Sequence, residues 1–130
     1  MKSSEHDEQV RVIQWFESQY RDIAPLLMAY PSGFVAGGKN KFGLINKMKK
    51  EGWRKGVPDL FLALPVGRCG GLWIEMKAEK GRASPEQLEY LERLSNAGYE
   101  AHLCKGSDAA IQVLSDYMCR HKQKLKELRG

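Results

Sequence analysis

The stretch GVPDLFLALPVGRCGGLWIEMK, residues 56–77, has the clearest structural pattern in this chain. Its two apolar runs, at 60–64 and 72–74, are separated by a turn-rich segment, which is the pattern of a β-hairpin with a loop longer than two residues. Asp59 directly precedes the first run. Because side chains alternate between the two faces of a strand, Glu75 and Lys77 point to the same face. The hairpin therefore predicts a strand face that carries a carboxylate and an amine.

A pairing that sets Asp59 across from Glu75 would bring two carboxylates and the Lys77 amine together. Neighbouring carboxylates repel each other unless a cation neutralises them, and hard divalent ions such as Mg²⁺ and Mn²⁺ prefer oxygen ligands. The lysine can orient or help to deprotonate a water molecule and can stabilise negative charge on a phosphate. Without a metal, the same residues would form a solvated strand end with a surface ion pair.

The spacing Asp-x15-Glu-x-Lys resembles the motif of the PD-(D/E)xK nuclease superfamily, and its surroundings resemble the VRR-NUC branch in order and spacing. This resemblance rests on KGVPDL at 55–60, GLWIEMK at 71–77, GRASPEQ at 81–87 with Leu91, and Gly98-Tyr99. It covers about residues 5–118. It implies a metal-dependent nuclease with a restriction-endonuclease-like α/β core.

The resemblance also implies which groups form the metal site. Asp59, Glu75 and the backbone carbonyl of Met76 are expected to hold Mg²⁺ or Mn²⁺, and Lys77 is expected to position the attacking water. Whether one or two ions act is left open, because both schemes use this ligand set.

A carboxylate from the first helix is expected to complete this set. Glu5 resembles the leading glutamate of the family, which reaches the ion directly or through water, and Glu8 competes for the role. We favour Glu5. A carboxylate in a first helical turn is also explained by the helix dipole alone.

A helix start follows the Glu-x-Lys strand. Ser84 is the predicted N-cap, Pro85 occupies the first helical position, and Gln87 completes a capping box. Gln87 also resembles the glutamine that the family places beside the active site, and the two roles are compatible. In the preceding turn, Lys80 and Arg82 either grip the substrate backbone or form a solvated loop tip.

The remaining patterns predict the other elements of an α/β fold. Helices are expected over 4–21, with Ser3 or Ser4 as cap, over 39–51 and over 108–117, and strands over 26–30 and 99–104. The apolar residues expected to face inward in two of the helices are Phe42, Leu44, Ile45 and Met48, and Leu88, Leu91 and Leu94. Together with the hairpin, these elements give a mixed sheet of about four strands flanked by helices.

The formal charge of +5 is concentrated in two blocks. Residues 39–55 hold seven basic residues against Glu51, and residues 119–130 hold five against Glu127. Such blocks favour a polyanionic partner, although either block alone is also typical of a solvated helix face. The residues predicted to contact nucleic acid are Lys39, Lys41, Lys47, Lys49, Lys50, Arg54, Lys55, Lys80 and Arg82.

The length of 130 residues, 42% of them apolar and 28% charged, fits one globular domain. We expect a nuclease domain at 1–118 and a basic tail at 119–130.

The sequence has no apolar run of membrane-span length and no signal region, which predicts a cytoplasmic protein. It is similar to compact standalone members of the family that are carried by bacteria and phages. Its three cysteines lack ligand spacing, which favours free thiols.

These observations predict a metal-dependent endonuclease that hydrolyses DNA phosphodiester bonds and reads shape, because phosphate contacts carry no sequence information. Compact members of the branch look like dimeric junction-cutting enzymes, which implies a homodimer acting on branched DNA such as a Holliday junction. Candidate residues for the subunit contact, which could instead complete the monomer's core, are Trp15, Phe34, Phe42 and Trp53. Two alternatives stay open: a non-cleaving nucleic-acid-binding module of the same fold, and a nuclease directed at RNA.

Overall fold

The order of helices and strands confirms the predicted α/β class. A computed structural model describes residues 3–31 and 41–129 of the chain. Its elements are α1 (Glu5–Gln19), a 3₁₀ helix (Ala24–Leu26), β1 (Leu27–Ala29), α2 (Lys41–Lys50), β2 (Leu60–Leu62), β3 (Leu72–Lys77), α3 (Pro85–Asn96), β4 (Glu100–Lys105) and α4 (Ser107–Arg129). Within the described residues, no helix combines the length and the hydropathy that crossing a membrane requires.

The four strands form one mixed sheet in the order β1-β2-β3-β4. The pairs β1–β2 and β2–β3 are antiparallel, and β4 runs parallel to β3. The hairpin register sets Leu60 opposite Ile74, and one further residue along the same register sets Asp59 beside Glu75. The pairing that a shared carboxylate site requires is therefore built into the hairpin.

One face of the sheet packs against α1 and α4 and forms the hydrophobic core. The fully buried residues of this core come from the strands (Leu60, Leu62, Leu72, Ile74 and Met76), from α1 (Val12 and Phe16) and from α4 (Ala110, Leu114 and Tyr117). Burying each large apolar side chain contributes about 1.5–3 kcal/mol. The Tyr117 hydroxyl donates to the Leu64 carbonyl at 2.6 Å, so the one polar group of that side chain is satisfied while it fixes α4 to the hairpin.

The opposite face carries the polar end of the hairpin. Phe61 and Trp73 stack there with ring centroids 4.3 Å apart. Because alternate residues of a strand share a face, Asp59 lies on the same face as Phe61, and Glu75 on the same face as Trp73. The aromatic pair and the two carboxylates therefore lie on the same face of the sheet.

The end of α4 differs from its prediction. The helix expected to stop at Tyr117 continues to Arg129, so the basic segment predicted as a tail is helical as far as that residue. Between the two positions the sequence contains no glycine or proline that would stop a helix, and most residues there are good helix formers.

Three of the apolar residues that were expected to face inward are exposed instead. Phe42 and Leu44 of α2 are 77% and 38% exposed, and Leu88 of α3 is 52% exposed. Helical periodicity shows that apolar residues share a stripe, but it does not show whether another element covers that stripe. In α4, by contrast, Ala110 and Leu114 are buried in the core and Ile111 packs against it.

Candidate metal centre

Three carboxylates from separate elements meet at one end of the sheet. Glu5 is the first residue of α1, Asp59 directly precedes β2, and Glu75 lies in β3. Each offers an oxygen, and these atoms lie within 4.8 Å of one another. Asp59 is 8% exposed and Glu75 is fully buried, whereas Glu5 is exposed. Oxygens in such a group can converge on one hard divalent cation, which binds them at about 2.0–2.6 Å.

Backbone hydrogen bonds hold Asp59 in place. Its side-chain Oδ2 accepts the N–H of Met76 at 2.8 Å, and its backbone carbonyl accepts the N–H of Tyr30 at the same distance. The residue is therefore fixed between the end of β1 and the strand that carries Glu75. These bonds place Met76 beside the cluster through its N–H, and the role of its carbonyl as a ligand stays a prediction.

Two polar side chains contact one oxygen of Glu75. The Lys77 Nζ lies 3.8 Å from Oε2, and the Gln87 amide donates to the same atom at 3.3 Å. The other oxygen, Oε1, is buried and has no hydrogen-bond partner among the described residues. A buried polar atom without a partner is costly, and a bound cation would give this one the contact that it lacks. On this observation the residues fit a divalent metal.

The electrostatics of the cluster favour a cation as well. Burial, and then the neighbouring Asp59 carboxylate, raises the pKa of Glu75 to about 9, against the opposite effect of the Lys77 ammonium. Burial also raises the pKa of Glu5, which Lys77 again opposes. Without a bound cation, Glu75 therefore retains its proton at neutral pH. A metal that replaces the proton would restore the carboxylate.

Gln87 both caps α3 and contacts Glu75. The hydroxyl of Ser84 accepts the N–H of Gln87 at 3.2 Å, and the Gln87 side-chain oxygen accepts the N–H of Ser84 at 2.8 Å. This capping box leaves the amide nitrogen free to donate to Glu75. The start of α3 is thus locked onto the strand that carries the candidate ligand.

Glu5 and Glu8 have different surroundings. Ser4 caps α1 in a reciprocal capping box with Asp7, which sets the position of the first turn and of Glu5 within it. One turn later, Glu8 Oε2 accepts the backbone N–H of Ser107 at 2.8 Å. These bonds from Ser107 lower the pKa of Glu8. The structure brings Glu5 to the other carboxylates and uses Glu8 to bind the start of α4.

Arg11 completes this contact between the helices. It lies 3.3 Å from Glu8 Oε2 and donates to the Ser107 hydroxyl at 3.0 Å. Sequence reasoning weighed Glu8 only as a competing ligand. Ser107 is 99 positions away from Glu8, so no local pattern could indicate that the two residues meet.

The predicted nucleic-acid contacts are placed unevenly around the cluster. Arg54 and Lys55 are exposed and line a groove of about 310 Å³ against α3. Lys80 and Arg82 are exposed in the segment that follows β3, next to the strand end that carries Lys77. Lys47, Lys49 and Lys50 are exposed in the last turn of α2, while Lys39 and the side chain of Lys41 lie outside the described residues.

The chain is similar in sequence and in structure to known proteins. The family model of the VRR-NUC domain matches residues 3–108, which include every candidate ligand. A solved structure described as a VRR_NUC domain protein is 27% identical, has a TM-score of 0.77, and matches over 92% of each chain. No curated protein matches the sequence.

The raised pKa of Glu75 predicts how the stability of the metal-free protein depends on pH. Between the ordinary value of 4.5 and about 9, the folded protein keeps a proton that the unfolded chain releases. Stability in EDTA should therefore fall as pH rises through this window, by up to about 1.4 kcal/mol per pH unit. The variant Glu75→Gln has no such proton and should unfold at a higher temperature than the wild type at pH 9. Thermal unfolding at pH 5, 7 and 9 measures this, with the exposed Glu89→Gln as control, and parallel curves for Glu75→Gln and wild type would contradict it.

The bond from Ser107 to Glu8 holds α1 against α4. It should therefore determine how well Glu5, one turn earlier in α1, reaches a bound metal. We expect Glu8→Ala to weaken Mn²⁺ affinity about tenfold, as loss of an outer contact commonly does, and Glu8→Gln to recover much of it because the amide oxygen still accepts from Ser107. In a Glu5→Gln background, Glu8→Ala should have no further effect. Isothermal titration of the four proteins in this cycle tests the coupling. Additive losses would mean that Glu8 acts independently of Glu5.

Proposed function

The chain belongs to the VRR-NUC domain family, and on that premise we propose that it is a metal-dependent endonuclease that hydrolyses DNA phosphodiester bonds. A VRR-NUC domain is a nuclease-type domain, so nucleic acid is its substrate class. The observation that carries the proposal is the convergence of Glu5, Asp59 and Glu75 oxygens within 4.8 Å. Such a cluster is the donor set of a hard divalent ion, Mg²⁺ or Mn²⁺.

A divalent ion held there would supply a Lewis acid for the phosphate and lower the pKa of a water molecule. Asp59 and Glu75, held by the hairpin, would be its fixed ligands, and Glu5 and the Met76 carbonyl would complete the set. Gln87 holds one Glu75 oxygen in place through the bond at 3.3 Å.

Lys77 has the position that a cleaving enzyme needs. Its amine lies 3.8 Å from Glu75 and its side chain is 13% exposed, so it reaches the boundary between the cluster and solvent. From there it can orient the attacking water and stabilise the negative charge that develops on the phosphate.

Exposed cations around the cluster would position the DNA backbone. Arg54 and Lys55 lie on one side, before β2, and Lys80 and Arg82 lie after β3. Contacts with phosphates fix the orientation of the DNA but do not distinguish one base sequence from another. They favour an enzyme that recognises the shape of its substrate.

Cleavage assays with matched variants test the proposed activity. Wild type should cut DNA with Mg²⁺ or Mn²⁺ and not in EDTA, and Asp59→Asn, Glu75→Gln and Lys77→Met should each lose about 10²-fold or more in rate. Glu79→Gln, which alters an exposed carboxylate just after β3, should keep full activity. Titration should show Mn²⁺ binding lost in the two carboxylate variants and largely kept in Lys77→Met.

Each competing function predicts a different result in these assays. Unchanged cleavage by Glu75→Gln would contradict the mechanism. Binding of DNA without cleavage under any metal condition would identify a binding module, and cleavage confined to RNA would identify an RNA-directed nuclease.

We further propose a symmetric homodimer that acts on branched DNA such as a Holliday junction. Resolving a junction requires two cuts related by a two-fold axis, and a C2 dimer provides two sites so related. Among the residues predicted for the contact, Trp15 packs against the core, Trp53 is half-buried, and Phe34 lies outside the described residues. Phe42 is 77% exposed, which makes α2 the best supported candidate for the subunit contact.

Light scattering of the purified protein tests the dimer. The wild type should have twice the monomer mass at micromolar concentration, and Phe42→Glu should be monomeric and should cut a junction no faster than a linear duplex. Leu128→Glu changes an equally exposed apolar residue elsewhere and should stay dimeric. A monomeric wild type would overturn the dimer and leave the nuclease proposal intact.

A further inference from the structure

The last turns of α4 extend beyond the hydrophobic core. The core contacts of this helix end at Tyr117 and Met118, which are 0% and 2% exposed. From 119 to 129 every residue is exposed except His121, which is half-buried. A short helical segment gains little stability in water without apolar packing. Burial in the domain core therefore does not account for this part of the helix.

This part of the helix is strongly basic. It carries five basic residues, Arg120, Lys122, Lys124, Lys126 and Arg129, against one acid, Glu127. Arg120 pairs with Glu100 at 2.6 Å and Lys124 with Glu127 at 3.3 Å. Lys122, Lys126 and Arg129 have no carboxylate within ion-pair distance among the described residues, so their charges are available to a partner.

The hairpin turn lies against a different side of α4 from Lys122, because two residues along an α-helix are separated by about 200° around its axis. Arg68 is exposed between β2 and β3, and the side chain of Lys124 passes beside this turn, since a methyl group on Gly67 would lie 3.4 Å from its Cε. Lys122 lies over the ring of Tyr20, with Nζ 5.7 Å from the ring centroid. Lys122, Lys126 and Arg129 lie within about 60° of one another around the helix axis, and these three residues form the distal basic surface.

The distal basic surface is far from the candidate metal centre. Ser107, the first residue of α4, contacts Glu8, one turn after the candidate ligand Glu5. An α-helix rises about 1.5 Å per residue, which places Lys126 about 28 Å further along the axis. This distance corresponds to about eight base pairs of duplex DNA. A phosphate bound at the distal basic surface therefore belongs to a different part of the nucleic acid from the one at the carboxylates.

We propose that the distal basic surface is a second nucleic-acid contact, which binds duplex phosphates about eight base pairs or more from the cleaved bond. This inference rests on the proposed function, and its physical basis is charge complementarity between unpaired cations and a polyanion. The VRR-NUC match ends at residue 108, so the family-matched region does not supply this contact. A lipid surface is less favoured, because Leu125 and Leu128 are the only large apolar residues after Cys119 and no aromatic residue accompanies them.

Salt-dependent binding tests this surface with a matched pair of variants. The neutral variant carries Lys122→Gln, Lys126→Gln and Arg129→Gln, and the charge-preserving control carries Lys122→Arg, Lys126→Arg and Arg129→Lys. Fluorescence anisotropy in EDTA would measure the affinity for a duplex of about 24 base pairs at several salt concentrations. Each lost phosphate contact lowers the slope of log K against log salt by about 0.9, so the neutral variant should lose about 2.7 and the control none.

Two results would overturn the proposal. One is a slope for the neutral variant equal to that of the wild type. The other is an unchanged DNA slope accompanied by lost binding to phosphatidylserine vesicles, which would identify a membrane contact. Equal unfolding temperatures would show that the exposed substitutions leave the fold intact. If no nucleic acid is cleaved but the slope still falls, the proposed catalytic function fails and the distal basic surface stands.

Discussion

Two carboxylates, those of Asp59 and Glu75, lie side by side with little access to water. Like charges at short distance in a region of low dielectric repel strongly, and each is also penalised for its burial. The chain holds them together through the hairpin register and the bond from Met76 to Asp59. The stabilisation comes from the other face of the same strands, where apolar side chains pack against two helices. A hydrophobic core thus holds a polar cluster that would be unfavourable without a cation.

Three helices begin around this cluster. Glu5 opens α1, Gln87 lies in the first turn of α3 and bonds Glu75, and Ser107 opens α4 and bonds Glu8. The N–H of Gly106, just before α4, also donates to the Lys77 carbonyl at 2.9 Å. Helix N-termini carry partial positive charge and favour anions, so the starts of these helices lie where carboxylates are best tolerated. The contacts that hold the helix starts in place therefore also position the side chains of the candidate metal centre.

Local patterns in the sequence were enough to predict the hairpin, the Ser84 helix start and the convergence of Asp59 with Glu75, because each depends on residues that are close along the chain or paired across one turn. The choice between Glu5 and Glu8 needed the structure, since the partner of Glu8 is Ser107, near the other end of the chain. The exposure of Phe42 was unpredictable for a related reason: a helical stripe does not reveal what covers it. The longer α4 could have been predicted, because the sequence contains no residue between Tyr117 and Arg129 that stops a helix.

We propose that Glu5, Asp59 and Glu75 together hold one divalent ion. Crystals of the protein soaked in Mn²⁺ and measured at the manganese absorption edge test it most directly, because anomalous scattering locates the ion independently of activity. The account predicts an anomalous peak about 2.0–2.3 Å from oxygens of all three carboxylates, with Glu75 Oε1 or Oε2 among them. A saturated crystal with no peak at this cluster, or with manganese bound only elsewhere, would contradict it.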